Sequence, residues 1–436
     1  MRAQWREKAS RLQTFFATVQ GAARRQRYTC RMPLTPNKQA ELQRALQDAM
    51  DDHALLAAMP DLQPMLGTPP LPAGLITDSE LHIVRHKDSG CVQFVFPGDA
   101  APAPLPGMPL TRQSGWDWIV QATVNTAAQM TQAMIDKIEA HHQPERLLAL
   151  RHGNRQTATP AELGAARGRK VLLLVHGVFS STQGAFGDLD LQPLLERYEG
   201  RVFGYDHWTI GRTPQQNAMN LLHRLPANAG WELDILCHSR GGLVVRSLLT
   251  DGMADIARAR AGRIAKVGKV MFVAAANQGS PLASPDEIKH FLNVAALLAS
   301  FSGSMALDLV IGLARMVVSL GFAQPSVQAL ASDSALIGLL NRSGTLLTSA
   351  SNYYARANFD YGDSVLERAG SLLSNVLIDS ANDMVVPYDS VLLPNAAPDT
   401  GHMLSFGSAE QKQTAVWHTD FFRQPATRDF VLRNLN

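Results

Sequence analysis

The sequence predicts an α/β fold built on a doubly wound, mostly parallel sheet, and three observations carry that prediction. From residue 169 onward, short continuous apolar runs alternate with helical segments, the pattern of strands buried on both faces and joined by helical crossovers. One such run ends in Cys237-His238-Ser239-Arg240-Gly241-Gly242 and leads straight into LVVRSLL, as expected of a tight strand-to-helix turn. The 436-residue chain is 46% hydrophobic and 18% charged, so it can build a large core and is not disordered as a whole.

The predicted strands follow in order. RKVLLLVHG (169–177) is the first and RVFGYDH (201–207) the second; LDILCHS (233–239) is the third. KVMFVAAANQGSP (269–281) supplies a fourth, and SNVLIDSANDMVV (374–386) contains a fifth. Helices are expected near 213–225, 241–258, 325–341 and 427–435. The α/β unit is placed at 166–436.

Residues 1–165 read as a mixed accessory region. Helical spacing covers 37–58 and about 114–142. The alternation in 80–96 on either side of Asp88-Ser89-Gly90 reads as a β-hairpin. Pro-rich stretches at 60–74 and 97–110 are linkers or loops, because proline removes backbone donors and blocks helix propagation.

Charge excludes some function classes. The 40 Lys and Arg oppose 38 Asp and Glu for a net +2, which is no nucleic-acid coat. Residues 1–31 nevertheless carry seven Arg and one Lys against Glu7, a net +7. Trp5, Leu12, Phe15, Phe16 and Val19 roughly share one helical face there, so the segment reads as a solvated surface helix or one lying on anionic membrane. No apolar run of signal-peptide length follows, so no cleaved leader is read and a cytoplasmic location is the expectation; export without a leader and peripheral membrane contact are compatible with the same residues.

Cys30, Cys91 and Cys237 are too few for a disulfide framework or a four-thiolate zinc site. The adjacent pair His141-His142 lacks a carboxylate ligand set, and no glycine-rich phosphate loop is present. No metal and no cofactor are expected.

A serine at a strand-to-helix turn is held with its hydroxyl exposed, and the positions two before and two after it must be small. Gly241 meets that demand, and Cys237 stands where glycine is usual. The helix beginning at Ser239 favours negative charge beside it. The same pattern also suits a serine that only caps the helix. A second feature bears on the choice: His176-Gly177-Val178-Phe179-Ser180-Ser181 follows the first buried strand. In a serine hydrolase that loop and the residue after the nucleophile each give an oxyanion-hole amide, which assigns the backbone N–H groups of Val178 and Arg240. His176 precedes Ser239 in the chain and reads as a loop-structuring residue.

The order HGVFSST, GAFGDL, CHSRGGLVVRSL, NQGSPLA, SANDMVVP and WHTDFF resembles bacterial lipase-like α/β-hydrolases, of the serine esterase and lipase superfamily, over about residues 165–436. The resemblance implies an α/β-hydrolase fold and a triad in the order Ser, Asp, His. It matches Ser239 to the nucleophile, Asp383 to the acid and His418 to the base. Asp379 and His402 lie close enough in the chain to compete for the last two roles. It also matches Ser280 to a loop beside the site.

Residues 291–307 (FLNVAALLASFSGSMAL) carry no charge, yet the run stops short of the ~20 apolar residues of a membrane span. One or two amphipathic helices are expected at about 285–345, read as a cap over the site, with a core-packing insertion or membrane insertion as the alternatives. The function implied is hydrolysis of carboxylic or lipid esters. Acyl transfer through the same acyl-enzyme, and a non-catalytic partner- or membrane-binding role, remain as alternatives.

Overall fold

The computed structural model describes residues 80–86, 92–95 and 116–123 as backbone strands. Beyond these it describes residues 139–140, 144–151, 154–178, 180–281, 325–359, 381–383, 385–408 and 416–435. The expected N-terminal helices at 1–31 and 37–58, and most of the expected cap, lie outside these residues.

Strands β1 (Glu80–His86) and β2 (Val92–Val95) pair antiparallel, as the hairpin reading requires. β3 (Trp116–Thr123) pairs antiparallel with β1 on its other edge. This corrects the helical expectation for about 114–142 over its first third. The segment WDWIVQAT is rich in aromatic and β-branched residues, which favour a pleated surface, and its neighbour β1 offers an unpaired edge.

The main sheet has eight strands. Its members in chain order are β4 (Arg146–Arg151), β5 (Asn154–Thr157), β6 (Lys170–Val175), β7 (Val202–Asp206), β8 (Trp231–His238), β9 (Ile264–Val273), β10 (Ser351–Ala357) and β11 (Met403–Phe406). They lie side by side as β11-β10-β9-β8-β6-β7-β4-β5. The six from β11 to β7 run parallel, while β4 joins β7 antiparallel and β5 joins β4 antiparallel. β4 and β5 thus bring residues 146–157, read from sequence as accessory, into this sheet. A hairpin edge has no crossover helix, so the strand-helix alternation did not mark it.

The described α-helices are α1 (Pro160–Ala165), α2 (Thr182–Phe186), α3 (Gln192–Arg197), α4 (Pro214–Arg224), α5 (Gly241–Leu249), α6 (Ala254–Arg260), α7 (Pro325–Gln328), α8 (Ala335–Arg342) and α9 (Pro425–Asn434), of which α2 to α8 lie in the connections between parallel strands. The helix expected over 241–258 is two, broken around Asp251 and Gly252. The one expected over 325–341 is also two, because Ser334 caps the N-terminus of α8 through the N–H of Ile337. Thr213 and Gln216 close a capping box on α4, with Pro214 in its first turn. All nine residues of α5 are buried, so the helix after Ser239 sits inside the molecule.

Leu172, Leu174, Leu236, Met271 and Val273 of the central strands share one core cluster with Phe186, Phe421, Phe422 and Phe430. With its mostly parallel sheet, covering helices and a strand-turn-helix at Ser239, the chain has the α/β-hydrolase fold expected from its sequence. The strand after β9 is Ser351–Ala357, which the sequence reading passed over. Of the stretch expected to hold a fifth strand, residues 374–380 lie outside the described residues, and Asn382 bridges to Pro387 across a turn.

Far from Ser239 along β8, the buried Asp234 accepts from the Tyr198 hydroxyl at 2.6 Å and the Lys269 N–H at 2.8 Å, with Lys170 Nζ at 3.3 Å. Replacing Asp234 by Ala takes this acceptor away from the buried Tyr198 hydroxyl. We expect urea unfolding of Asp234→Ala to show a loss of about 2–3 kcal/mol; an unchanged midpoint would contradict this role.

Candidate active site

The chain leaves β8 at His238 and turns at Ser239 with φ 57°, a left-handed conformation that a side chain adopts only at a cost. α5 starts two residues later. The Ser239 N–H donates to the Val273 carbonyl at 3.1 Å, and its own carbonyl accepts from Gly242 at 3.0 Å and Ala276 at 3.2 Å. The turn therefore cannot swing without breaking bonds on both sides.

Two glycines let it pack this closely. A Cβ at Gly177 would fall 2.5 Å from Ser239 Cβ and 2.9 Å from its Oγ; at Gly241 it would run into the carbonyl oxygens of Val175 and His176. Cys237 fits the position where glycine is usual because its side chain lies wholly in the core, with Sγ 3.5 Å from the Met271 carbonyl. Burial pushes its thiol well above the ordinary range, so it stays a protonated, unreactive group.

Ser239 Oγ lies 2.9 Å from His418 Nε2, and His418 Nδ1 lies 2.9 Å from Asp383 Oδ2. All three side chains are buried. The other oxygen of Asp383 accepts from the N–H groups of Val385 at 3.0 Å and Val386 at 2.7 Å, and its backbone carbonyl accepts from the His418 N–H at 3.2 Å. The acid is thus oriented by its own turn.

That turn is tied in its own right. Ser280 Oγ donates to the Val385 carbonyl at 2.6 Å, and Ser390 Oγ donates to the Gly279 carbonyl at 2.6 Å. The Gln-Gly-Ser-Pro stretch beside the site is therefore a strut for the acid's loop. The weighed alternatives fare differently. His402 is half-exposed, bonded through Nδ1 to Asp399 and stacked on Tyr353, so it is not part of this cluster. Asp379 lies outside the described residues.

Two more histidines brace the site. His238 Nε2 lies 2.9 Å from the His418 carbonyl and its ring lies 4.9 Å from the His418 ring. Burial pushes His238 down to about 3, so it is neutral and donates through Nε2. His176 is wholly buried: Nδ1 is 2.8 Å from the Gly177 carbonyl and Nε2 accepts the His207 N–H at 3.1 Å. These partners leave it no path to Ser239, and burial lowers it to about 4. It structures the loop, as its chain position suggested.

Neither the Val178 nor the Arg240 backbone N–H has a hydrogen-bond partner among the described residues. Val178 follows Gly177, which packs directly on Ser239, and Arg240 follows Ser239 itself. Chemically, the cluster joins a hydroxyl to an imidazole and that imidazole to a carboxylate. Sequence reasoning missed Glu139, Asn217 and Ser390, which hold the surrounding loops; nothing in their local sequence distinguishes them from surface polar residues. Among the described residues, no group of three or more His, Cys, Asp and Glu could hold a metal ion. No described helix is long and apolar enough to cross a membrane.

A family described as Domain of unknown function (DUF7379) matches residues 138–436. The chain belongs to this family. Its DUF7379 region includes every strand of the eight-stranded sheet and all the residues of the site. No curated protein matches the chain. Among solved structures it is similar to the mature form of lipase BlEst2 from Bacillus licheniformis, at 16% identity and a TM-score of 0.37, covering 62% of this chain and 93% of that one. Lipase 1 from Pelosinus fermentans is 15% identical with a TM-score of 0.38, over 59% and 94% of the two chains. A hydrolase from Pseudomonas aeruginosa PA01 is 16% identical with a TM-score of 0.36, over 62% and 90%.

The buried histidines of this DUF7379 member make its stability depend on pH below neutrality. Burial holds His176, His207 and His238 below the ordinary value of 6.5. The unfolded chain therefore binds more protons than the folded one below that pH. The stabilisation is complete above pH 6.5 and declines as pH falls toward 4, at up to ~1.4 kcal/mol per pH unit for each histidine. Urea unfolding at pH 7.5, 6 and 5 should show progressively lower midpoints. A flat series would contradict neutral burial of these rings.

Proposed function

We propose that the protein is a serine hydrolase that cleaves carboxylic esters, lipid esters among them, through an acyl-enzyme on Ser239. The observation that carries this reading is the buried chain of hydrogen bonds from Asp383 to His418 to Ser239, each link 2.9 Å long.

His418 Nδ1–H donates to Asp383, which leaves Nε2 as an acceptor for the Ser239 hydroxyl proton. As Oγ attacks an acyl carbonyl, that proton passes to Nε2 and the imidazolium is stabilised by the Asp383 carboxylate. The carbonyl oxygen becomes an oxyanion, and the Val178 and Arg240 N–H groups are the donors proposed to meet it. His418 then protonates the departing alkoxide. Water then attacks the acyl carbon as it loses a proton to His418, the bond to Ser239 Oγ breaks, and His418 returns the proton to Oγ as the acid leaves.

Hydrolysis of p-nitrophenyl esters from C2 to C16 tests the reading. The native chain should turn over at least one of them, Ser239→Ala should lose essentially all activity, and His418→Gln should lose about 10³-fold or more in kcat. Equal rates for native and Ser239→Ala protein would overturn the assignment.

A further inference from the structure

The loop at 207–213 follows β7 and is held by side chains from separate parts of the chain. Glu139 is buried and accepts three successive backbone N–H groups, from Thr209 at 2.7 Å, Ile210 at 2.9 Å and Gly211 at 2.6 Å. The Arg240 side chain is fully buried and donates to the Arg212 carbonyl and to Asn217 Oδ1, the latter at 3.1 Å. Asn217 in turn donates to the Trp208 carbonyl at 2.9 Å. The loop's N–H groups thus meet an anion while a carbonyl at its far end meets a cation.

Each charge also stabilises the other. Burial raises the Glu139 carboxyl and lowers Arg240 to about 10, and in each case the opposite partner works against that shift. Such pairs add little to stability relative to apolar residues of the same shape, so their value lies in fixing geometry. The residue so fixed is the one after Ser239. A third contact comes from α7, where Ser326 Oγ donates to the Ile210 carbonyl.

We propose that Glu139 and the Arg240 side chain are positioning residues which, through the 207–213 loop, hold the Arg240 N–H where an oxyanion develops. The inference rests on the hydrolase reading of Ser239. It brings into the site a residue that precedes every strand of the main sheet.

Kinetics on the full chain test it. Glu139→Gln keeps the shape and removes the charge; it should lower kcat about 10-fold with KM within about 2-fold, because an interaction made mainly in the transition state is lost. An alkyl boronic acid, which forms a tetrahedral adduct on a serine, should bind correspondingly more weakly. Arg240→Lys, which cannot bridge both partners, should lose a similar factor. The double variant should lose no more than either alone, as coupled residues do. Unchanged kcat, additive losses or a loss confined to KM would overturn the proposal.

Hydrogen exchange reads the same device without turnover. In Glu139→Gln the amides of 209–211 should exchange faster while β8 stays protected, and uniform exchange across the chain would count against it. If native activity survives Ser239→Ala but this exchange pattern appears, the hydrolase reading has failed and the tether stands. If Glu139→Gln does not fold, Arg240→Lys carries both measurements.

Discussion

A residue other than glycine held in the left-handed region costs about 1–2 kcal/mol, and at Ser239 that cost is met by the surroundings of a single turn. β8 ends beneath it, α5 begins just beyond it, the Gly177 backbone closes on it, and Gly241 packs against the end of β6. Bonds to Val273, Gly242 and Ala276 keep it from relaxing. The direction of Oγ follows from this strained turn. The His418 ring, the acid turn at Asp383 and the loop after β6 are all arranged around that one oxygen.

The buried polar groups around the turn follow a common rule. A polar group taken from water must find partners, or it costs more than it gives. Asp383 finds them in its own turn, His176 in two backbone groups, Glu139 in three successive N–H groups, and Arg240 in a carbonyl and an amide oxygen. The outcome is a site whose walls are specified by hydrogen-bond geometry as much as by packing. Loops that would otherwise be free at the ends of parallel strands are fixed at both ends.

What was legible in the sequence is what local residues encode. The apolar runs at β6, β7, β8 and β9 are buried on both faces and read directly as strands. The small residues at the Ser239 turn announce its tightness. β4 and β5 escaped because an antiparallel hairpin lacks the crossover helix that marks the others. β10 escaped because its two tyrosines and its Ser-Asn start hide the apolar face. The choice between His402 and His418 could not be settled along the chain, since each lies within reach of a late acid; only the folded path brings His418 to Ser239 and leaves His402 on Asp399. Glu139 was invisible for the same reason, because its partners lie about seventy residues away.

The central claim is that the turn and the imidazole together make Ser239 a nucleophile. The most direct measurement is mass spectrometry of the chain after treatment with a fluorophosphonate, with the modified residue mapped by fragmentation. The account predicts one adduct, on Ser239, formed rapidly in the native protein and at least about a hundredfold more slowly in His418→Gln. An adduct on another serine, or equal labelling with and without His418, would contradict it.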